Sequence, residues 1–180
     1  MRYFSFQEIL CAVLIVVYLV GIIIDIYKKE FKDFNFILSI FILILTTTMT
    51  FVVSPAFVVG ESMEPTLHDK QVVALNKFSR DFEVNDIVVL RSEKLKKSLI
   101  KRIVAKGGDT VHMENGELYV NDVLVTPKYE VVPTIESFGK VTVPEGQYFV
   151  MGDNRPNSLD SRSETIGCIE KKFISGKIIK

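Results

Sequence analysis

The hydrophobic pattern changes character near residue 54. Phe34 to Ser54 is almost wholly apolar or Thr, and no charge occurs between Asp33 and Glu61. These 21 residues are enough for one bilayer-crossing helix, which needs about 20. Ile9 to Ile24 is a second uncharged run, extended to Tyr27 if Asp25 snorkels or faces a partner helix. The pattern therefore predicts two transmembrane α-helices, over 8–27 and 34–54, forming a membrane anchor of residues 1–54. A cleaved secretory leader fits less well, because the start has one Arg and no small-x-small site precedes Lys28 and Lys29. The loop from Tyr27 to Asp33 carries Lys28, Lys29 and Lys32, against Arg2 beyond the first span. The positive-inside rule then places this loop in the cytoplasm and both chain ends outside.

After Pro55 the pattern becomes short β-branched runs broken by turn signals. Ala56–Val59, Gln71–Leu75, Asp86–Leu90, Leu99–Ala105, Thr110–Met113, Glu117–Val120, Val123–Val125 and Gln147–Met151 read as strands. Asn115-Gly116 and Asn121-Asp122 are tight-turn pairs, so Thr110 to Thr126 is expected to form consecutive hairpins. Helical periodicity longer than two turns is expected only over Ser163 to Phe173. Residues 55–180 thus predict a mostly β domain, a coiled sheet or partly open barrel, on the extracytoplasmic side.

Charge sharpens this division. Of 44 charged residues only 8 fall in the first 60 positions, which excludes a simple soluble domain, and the apolar content excludes disorder. The formal charge is zero, so the chain lacks the basic field of a nucleic-acid binder. Cys11 and Cys168 show no metal-ligand spacing, and no metal or cofactor is expected. A disulfide between them would have to join membrane to domain.

Three segments have the composition of a reactive site. In Gly60-Glu61-Ser62-Met63-Glu64-Pro65, a Ser sits between an apolar strand and an abrupt turn, although most such Ser residues only form turns. Gly60 would let another backbone approach. A Ser nucleophile needs a base. His68 and His112 lack a neighbouring carboxylate pattern and read as surface or packing residues. Lys101 shares a strand face with Leu99 and Ile103, and burial would lower its pKa by up to about 3–5 units, giving a neutral amine able to take a proton. Periodicity alone leaves this open against an exposed Lys101 with Arg102 inward. The third segment, Gly152 to Arg162, follows a strand and is dense in hydrogen-bonding groups, suited to orienting an amine with Asp–Arg bracing. It has the composition of a Ca²⁺ loop, with Asp153, Asn154, Asn157 and Asp160, but not the spacing.

Taken in order, these blocks resemble bacterial type I signal peptidases, membrane-anchored Ser/Lys endopeptidases. The likeness rests on V-x-G-x-S-M-x-P-T-L around Ser62, on I-K-R-I-V followed by G-D-x-V (Lys101 to Val111), and on G-D-N-R-x-x-S-x-D-S-R (Gly152 to Arg162). Asn85-Asp86-Ile87-Val88-Val89 resembles the family's G-D-[IV]-V-V strand, with Asn in place of Gly, and Lys106-Gly107 replaces the usual L-P. The resemblance implies Ser62 as nucleophile and Lys101 as general base. It implies Ser158 as the residue orienting the amine, and Asp160 with Arg162 as a supporting ion pair. The Ser62 N–H would serve the oxyanion hole. The second donor, a Ser hydroxyl two positions earlier in many Gram-negative members, is replaced here by Gly60. Val58, Gly60, Met63, Leu67, Leu99 and Ile100 would line shallow substrate pockets, with ordinary core packing as the alternative for the apolar ones.

The implied substrates are secretory preproteins with small-x-small cleavage sites, and the implied surroundings are a lipid bilayer, with no nucleic acid. Ser62 lies eight residues beyond Ser54, at most about 27 Å at roughly 3.4 Å per residue, so it would stay near the outer membrane boundary. A relative with a narrow substrate (a pilin or conjugation protein) and an inactive membrane-anchored binding domain are the alternatives. A pure binding module would not need Ser62, Lys101, Ser158, Asp160 and Arg162 together.

Overall fold

A computed structural model describes residues 15–16, 19–23, 26, 39–44, 53–92 and 94–179. The chain divides into two compact units, Met1–Ser54 and Pro55–Lys180. The spans expected over 8–27 and 34–54 lie largely outside the described residues. The stretches described within them, including 19–23 and 39–44, are helical. Among the described residues no helix is long and apolar enough to cross a membrane. One boundary needs correction: strand β1 is Val53–Phe57, so Val53 and Ser54 are not helical as expected. A continuous apolar run does not mark where helix gives way to strand.

The remaining strands are β2 Val72–Asn76, β3 Ile87–Ser92, β4 Lys97–Lys106, β5 Thr110–Glu114, β6 Glu117–Val120, β7 Val123–Leu124, β8 Phe138–Thr142, β9 Gln147–Met151, β10 Ile169–Glu170 and β11 Ile174–Ile179. They form a seven-stranded sheet, β1-β2-β11-β3-β4-β9-β10, and a four-stranded sheet, β7-β6-β5-β8. The described residues are therefore mostly β, in antiparallel pairings. The consecutive hairpins are present. Asn115 and Gly116 have φ of 50° and 86°, Asn121 and Asp122 of 54° and 63°, the left-handed pairs that match strand twist across two-residue turns.

Three strands escaped the pattern, β8, β10 and β11. β8 is largely exposed and carries Gly139 and Lys140, and β11 is interrupted by Gly176. The helix expected over Ser163–Phe173 does not form. The N–H groups of Ile166 and Gly167 return to the Ser163 carbonyl for one turn, and Gly167 at φ +59° ends it. The short strand β10 and a single 3₁₀ turn, Lys171–Phe173, follow.

β3 is buried on both faces. Ile87 and Val89 enter a cluster with Val58, Met63, Leu67, Val73 and Leu75, while Val88 and Leu90 enter another with Phe82, Ile103, Val150 and Ile174. A third cluster joins the two sheets: Val104, Ala105, Phe149 and Met151 pack with Val111, Met113 and Leu118. β3 and β4 are thus fixed in the middle of the large sheet, and β4 carries Lys101.

Candidate active site

The chain leaves β1 through Gly60, whose φ of +92° is a conformation L side chains rarely adopt. A Cβ there would meet nothing within 4 Å, so this glycine answers to backbone conformation rather than to the close approach expected. Its N–H donates to Asp69 Oδ1 at 2.8 Å. The following turn is tied by the Glu64 N–H to the Glu61 carbonyl at 3.0 Å and the Leu67 N–H to the Met63 carbonyl at 2.9 Å. Met63 and Leu67 are buried in the core below. Ser62 is held half-buried at the head of this anchored turn.

On β4, Lys101 lies opposite Val88 and Leu99 lies opposite Leu90. Both Lys101 (2% exposed) and Arg102 (1%) are buried. The two readings of the strand were therefore not exclusive, because both faces of β4 are covered. Lys101 Nζ lies 2.6 Å from Ser62 Oγ and 3.0 Å from the Ile100 carbonyl oxygen. Burial pushes the Lys101 pKa down from 10.5 to about 8, against the opposing pull of the Asp160 and Asp153 charges. An amine this easily deprotonated, touching a hydroxyl, can take that proton as the oxygen attacks an electrophile.

Arg102 turns to Asp153. Its Nε and Nη2 donate to the two carboxylate oxygens at 2.9 and 2.6 Å, and Nη1 donates to the Asn85 carbonyl at 2.9 Å. Nη2 also reaches Thr66 Oγ1 at 3.3 Å, and the Tyr129 ring lies 3.7 Å from the guanidinium. This buried pair was not foreseen. Its signals were the Arg of I-K-R-I-V and the Asp of G-D-N, which only the fold connects. Asp160 and Arg162 are joined as expected: Nε to Oδ1 at 2.8 Å and Nη2 to Oδ2 at 2.9 Å. Asp160 Oδ2 also accepts the Gly152 N–H at 3.0 Å, and Arg162 pairs with Glu136.

Ser158 departs from expectation. Its Oγ is buried with no hydrogen-bond partner among the described residues, so it makes no direct bond to the Lys101 amine. It packs against Gly152 instead, where an added Cβ would lie 2.2 Å from Ser158 Oγ and 2.4 Å from the Ser62 carbonyl oxygen. Asn154 was not singled out for the Ser62 segment either, yet it bonds there twice. Its N–H donates to the Ser62 carbonyl and its Nδ2 to the Glu61 carbonyl, each at 3.1 Å.

A cavity of about 380 Å³ opens beside Ser62 and Lys101. Val58, Gly60, Met63, Leu99 and Ile100 line it, together with Ala56, Phe57, Val59, Val89 and Ser98, which were not anticipated. Leu67 does not line it and belongs to the core with Val58 and Met63. One side of the cavity follows from the pairing of β4. β3 pairs with Lys97 through Arg102, whereas β9 pairs only from Arg102 onward, so β4 before Arg102 has an unpaired edge. Both histidines do have carboxylate neighbours, contrary to expectation. His68 Nδ1 is 2.7 Å from Glu64 Oε2 on the exposed turn, and His112, stacked on Tyr119, has Nδ1 3.8 Å from Asp122. Neither contact reaches Ser62 Oγ, whose described partner is Lys101.

Comparison with known proteins identifies the family. The sequence profile of the family described as signal peptidase, peptidase S26, matches residues 31–179. Signal peptidase I of Bacillus amyloliquefaciens is 38% identical over 162 residues, covering 83% of this chain and 86% of that protein. Signal peptidase I S of Bacillus subtilis (strain 168) is 36% identical over 163 residues, covering 83% and 87%. A signal peptidase I crystal structure from Enterococcus faecalis V583 is 27% identical, with a TM-score of 0.48, covering 56% of this chain and 97% of that one. On the extent of the profile match and of the Bacillus relatives the chain belongs to the signal peptidase family, peptidase S26, the serine peptidases that remove signal peptides from secreted preproteins.

Proposed function

We propose that Ser62 and Lys101 carry out this cleavage, at the outer face of the cytoplasmic membrane. Ser62 Oγ attacks the carbonyl carbon of the scissile bond while Lys101 Nζ takes its proton. The tetrahedral oxygen is stabilised by the Ser62 N–H, and the ammonium returns the proton to the leaving amine. Water then enters by the same route, gives a proton to Lys101 and bonds to the ester carbon; the bond to Ser62 Oγ breaks and the ammonium returns the proton to that oxygen. The observation that carries this reading is the 2.6 Å approach of a buried amine to the only side-chain oxygen it hydrogen-bonds among the described residues. Asp160 and Arg162 serve by holding the loop that backs Ser62. Ser158 acts through packing on Gly152 rather than through a bond to the amine.

The substrate lies extended between the segment from Ala56 to Gly60 and the unpaired edge of β4, adding its backbone to the strands. Leu99, Ile100 and Val58 leave shallow apolar room, which suits small side chains at the first and third positions before the cut. The oily N-terminal segment anchors the chain, as two spans, over 8–27 and from 34 to the start of β1, with residues 55–180 outside. Tethering enzyme and preprotein to one bilayer raises their effective concentration.

The test uses detergent-solubilised full-length protein and a preprotein with an Ala-x-Ala site. The parent is expected to cut after that site, and Ser62→Ala and Lys101→Ala each to lose at least about 10³-fold in rate, as when members of a catalytic unit are removed. Undiminished cleavage by Lys101→Ala at neutral pH would remove the lysine as base.

A further inference from the structure

Asn154 is the residue that binds the nucleophile's backbone from the opposite loop. Its two bonds go to adjacent carbonyls, that of Glu61 from the side chain and that of Ser62 from the backbone. The first has a geometric consequence. The Glu61–Ser62 peptide is trans, since Glu64–Pro65 is the cis bond among the described residues. In a trans peptide the C=O and N–H of one unit point in opposite directions across a plane that hardly twists. Pinning the Glu61 oxygen therefore aims the Ser62 N–H away from Asn154. That N–H donates to no described residue.

The arrangement carries a cost that packing alone does not explain. Asn154 is buried, and its Oδ1 has no hydrogen-bond partner among the described residues. An unsatisfied buried carbonyl is unfavourable, and a purely apolar filler would avoid it. What Asn154 provides in exchange is an N–H donor aimed at one particular carbonyl.

We propose that Asn154 is a positioning residue for the oxyanion site: through Nδ2 it fixes the peptide unit between Glu61 and Ser62, so that the Ser62 N–H faces the carbonyl oxygen of the bond being cut. This rests on Ser62 as nucleophile. The hydrogen bond also polarises the peptide, strengthening the N–H as donor where negative charge develops. Because the oxygen becomes charged only during reaction, the effect falls on kcat rather than on substrate affinity.

The experiment compares full-length parent, Asn154→Ala, Asn154→Asp and Ser62→Ala in detergent. Asn154→Asp keeps the side chain's size and removes the Nδ2 donor, and both Asn154 variants keep the backbone bond to the Ser62 carbonyl. Three readouts are taken: kcat and KM on an Ala-x-Ala preprotein, affinity for a product peptide ending in Ala-x-Ala carboxylate, and affinity for the matching peptide aldehyde. With the aldehyde, Ser62 Oγ bonds to the aldehyde carbon as its C=O π bond breaks, the hydroxyl proton passes to Lys101, and the adduct oxygen takes the oxyanion position. In both Asn154 variants kcat is expected to fall by about 10²-fold, near the low end for losing an oxyanion donor. Aldehyde affinity should fall in parallel, with KM and product affinity changed by less than about twofold.

Unchanged kcat in a folded Asn154→Asp protein would overturn the inference, as would equal losses of product and aldehyde affinity, which would mean a general structural role. Failure of the underlying reading looks different: Ser62→Ala would then cleave like the parent.

Discussion

Lys101 is the residue whose chemistry depends most on its surroundings, and its lowered pKa has two measurable results. The unfolded chain binds the lysine proton with an ordinary pKa of 10.5 and the folded protein with about 8. Between these values the unfolded state holds more protons, so stability rises with pH across that window. The penalty is complete below pH 8 and gone above 10.5. Lys101→Met should therefore stabilise the protein at pH 7 by on the order of 3 kcal/mol, with the gain shrinking steadily from pH 8 to 10 in urea titrations. In the parent, kcat/KM should climb about tenfold per pH unit below 8 and level off above it. A flat profile from pH 6 to 9 would contradict a lysine base. Alternation along I-K-R-I-V was enough to bring Lys101 forward, but not to decide its burial. That depends on Arg102 finding Asp153, which is 51 residues away in sequence and next to it in space.

At the scale of elements, the legible strands were those whose side chains do the packing. β3, β4 and β9 are rich in buried β-branched or aromatic residues and were found nearly to the residue. β11 was missed because its essential residue has no side chain to read. A Cβ on Gly176 would lie 2.4 Å from the Asn76 carbonyl oxygen, so the glycine is what lets β11 lie against β2. Gly176→Ala should then destabilise the fold by about 1–3 kcal/mol through overpacking. Gly139→Ala in β8, where a Cβ meets nothing within 4 Å, should be close to neutral in the same denaturant titration. The expected helix over Ser163–Phe173 failed for a related reason, since periodicity does not register the positive φ that Gly167 adopts. The motif residues and the Asp160–Arg162 pair were legible, whereas other contacts were not. Ser158 ended against Gly152, Leu67 in the core, and Asn154 on the backbone of Glu61 and Ser62.

At the scale of the whole molecule, the two sheets share one core cluster, in which Phe149 of β9 stacks on Phe138 of β8 at 5.8 Å between ring centroids. Residues 55–180 should accordingly unfold in one transition. Phe149→Ala should lower its stability by about 3–5 kcal/mol, and hydrogen exchange should show β5 and β9 losing protection together. Loss confined to one sheet would show that they are independent. The unequal pairing of β4 also bears on what this molecule leaves alone. In the proposed strand-addition mode, a guest would have to present several consecutive residues of bare backbone to the strand edge before Arg102. Cargo that has already folded keeps such stretches within its own sheets and helices, so on that proposal a mature protein carrying an Ala-x-Ala triplet in a structured region would be spared, conformation acting as a filter ahead of side-chain recognition.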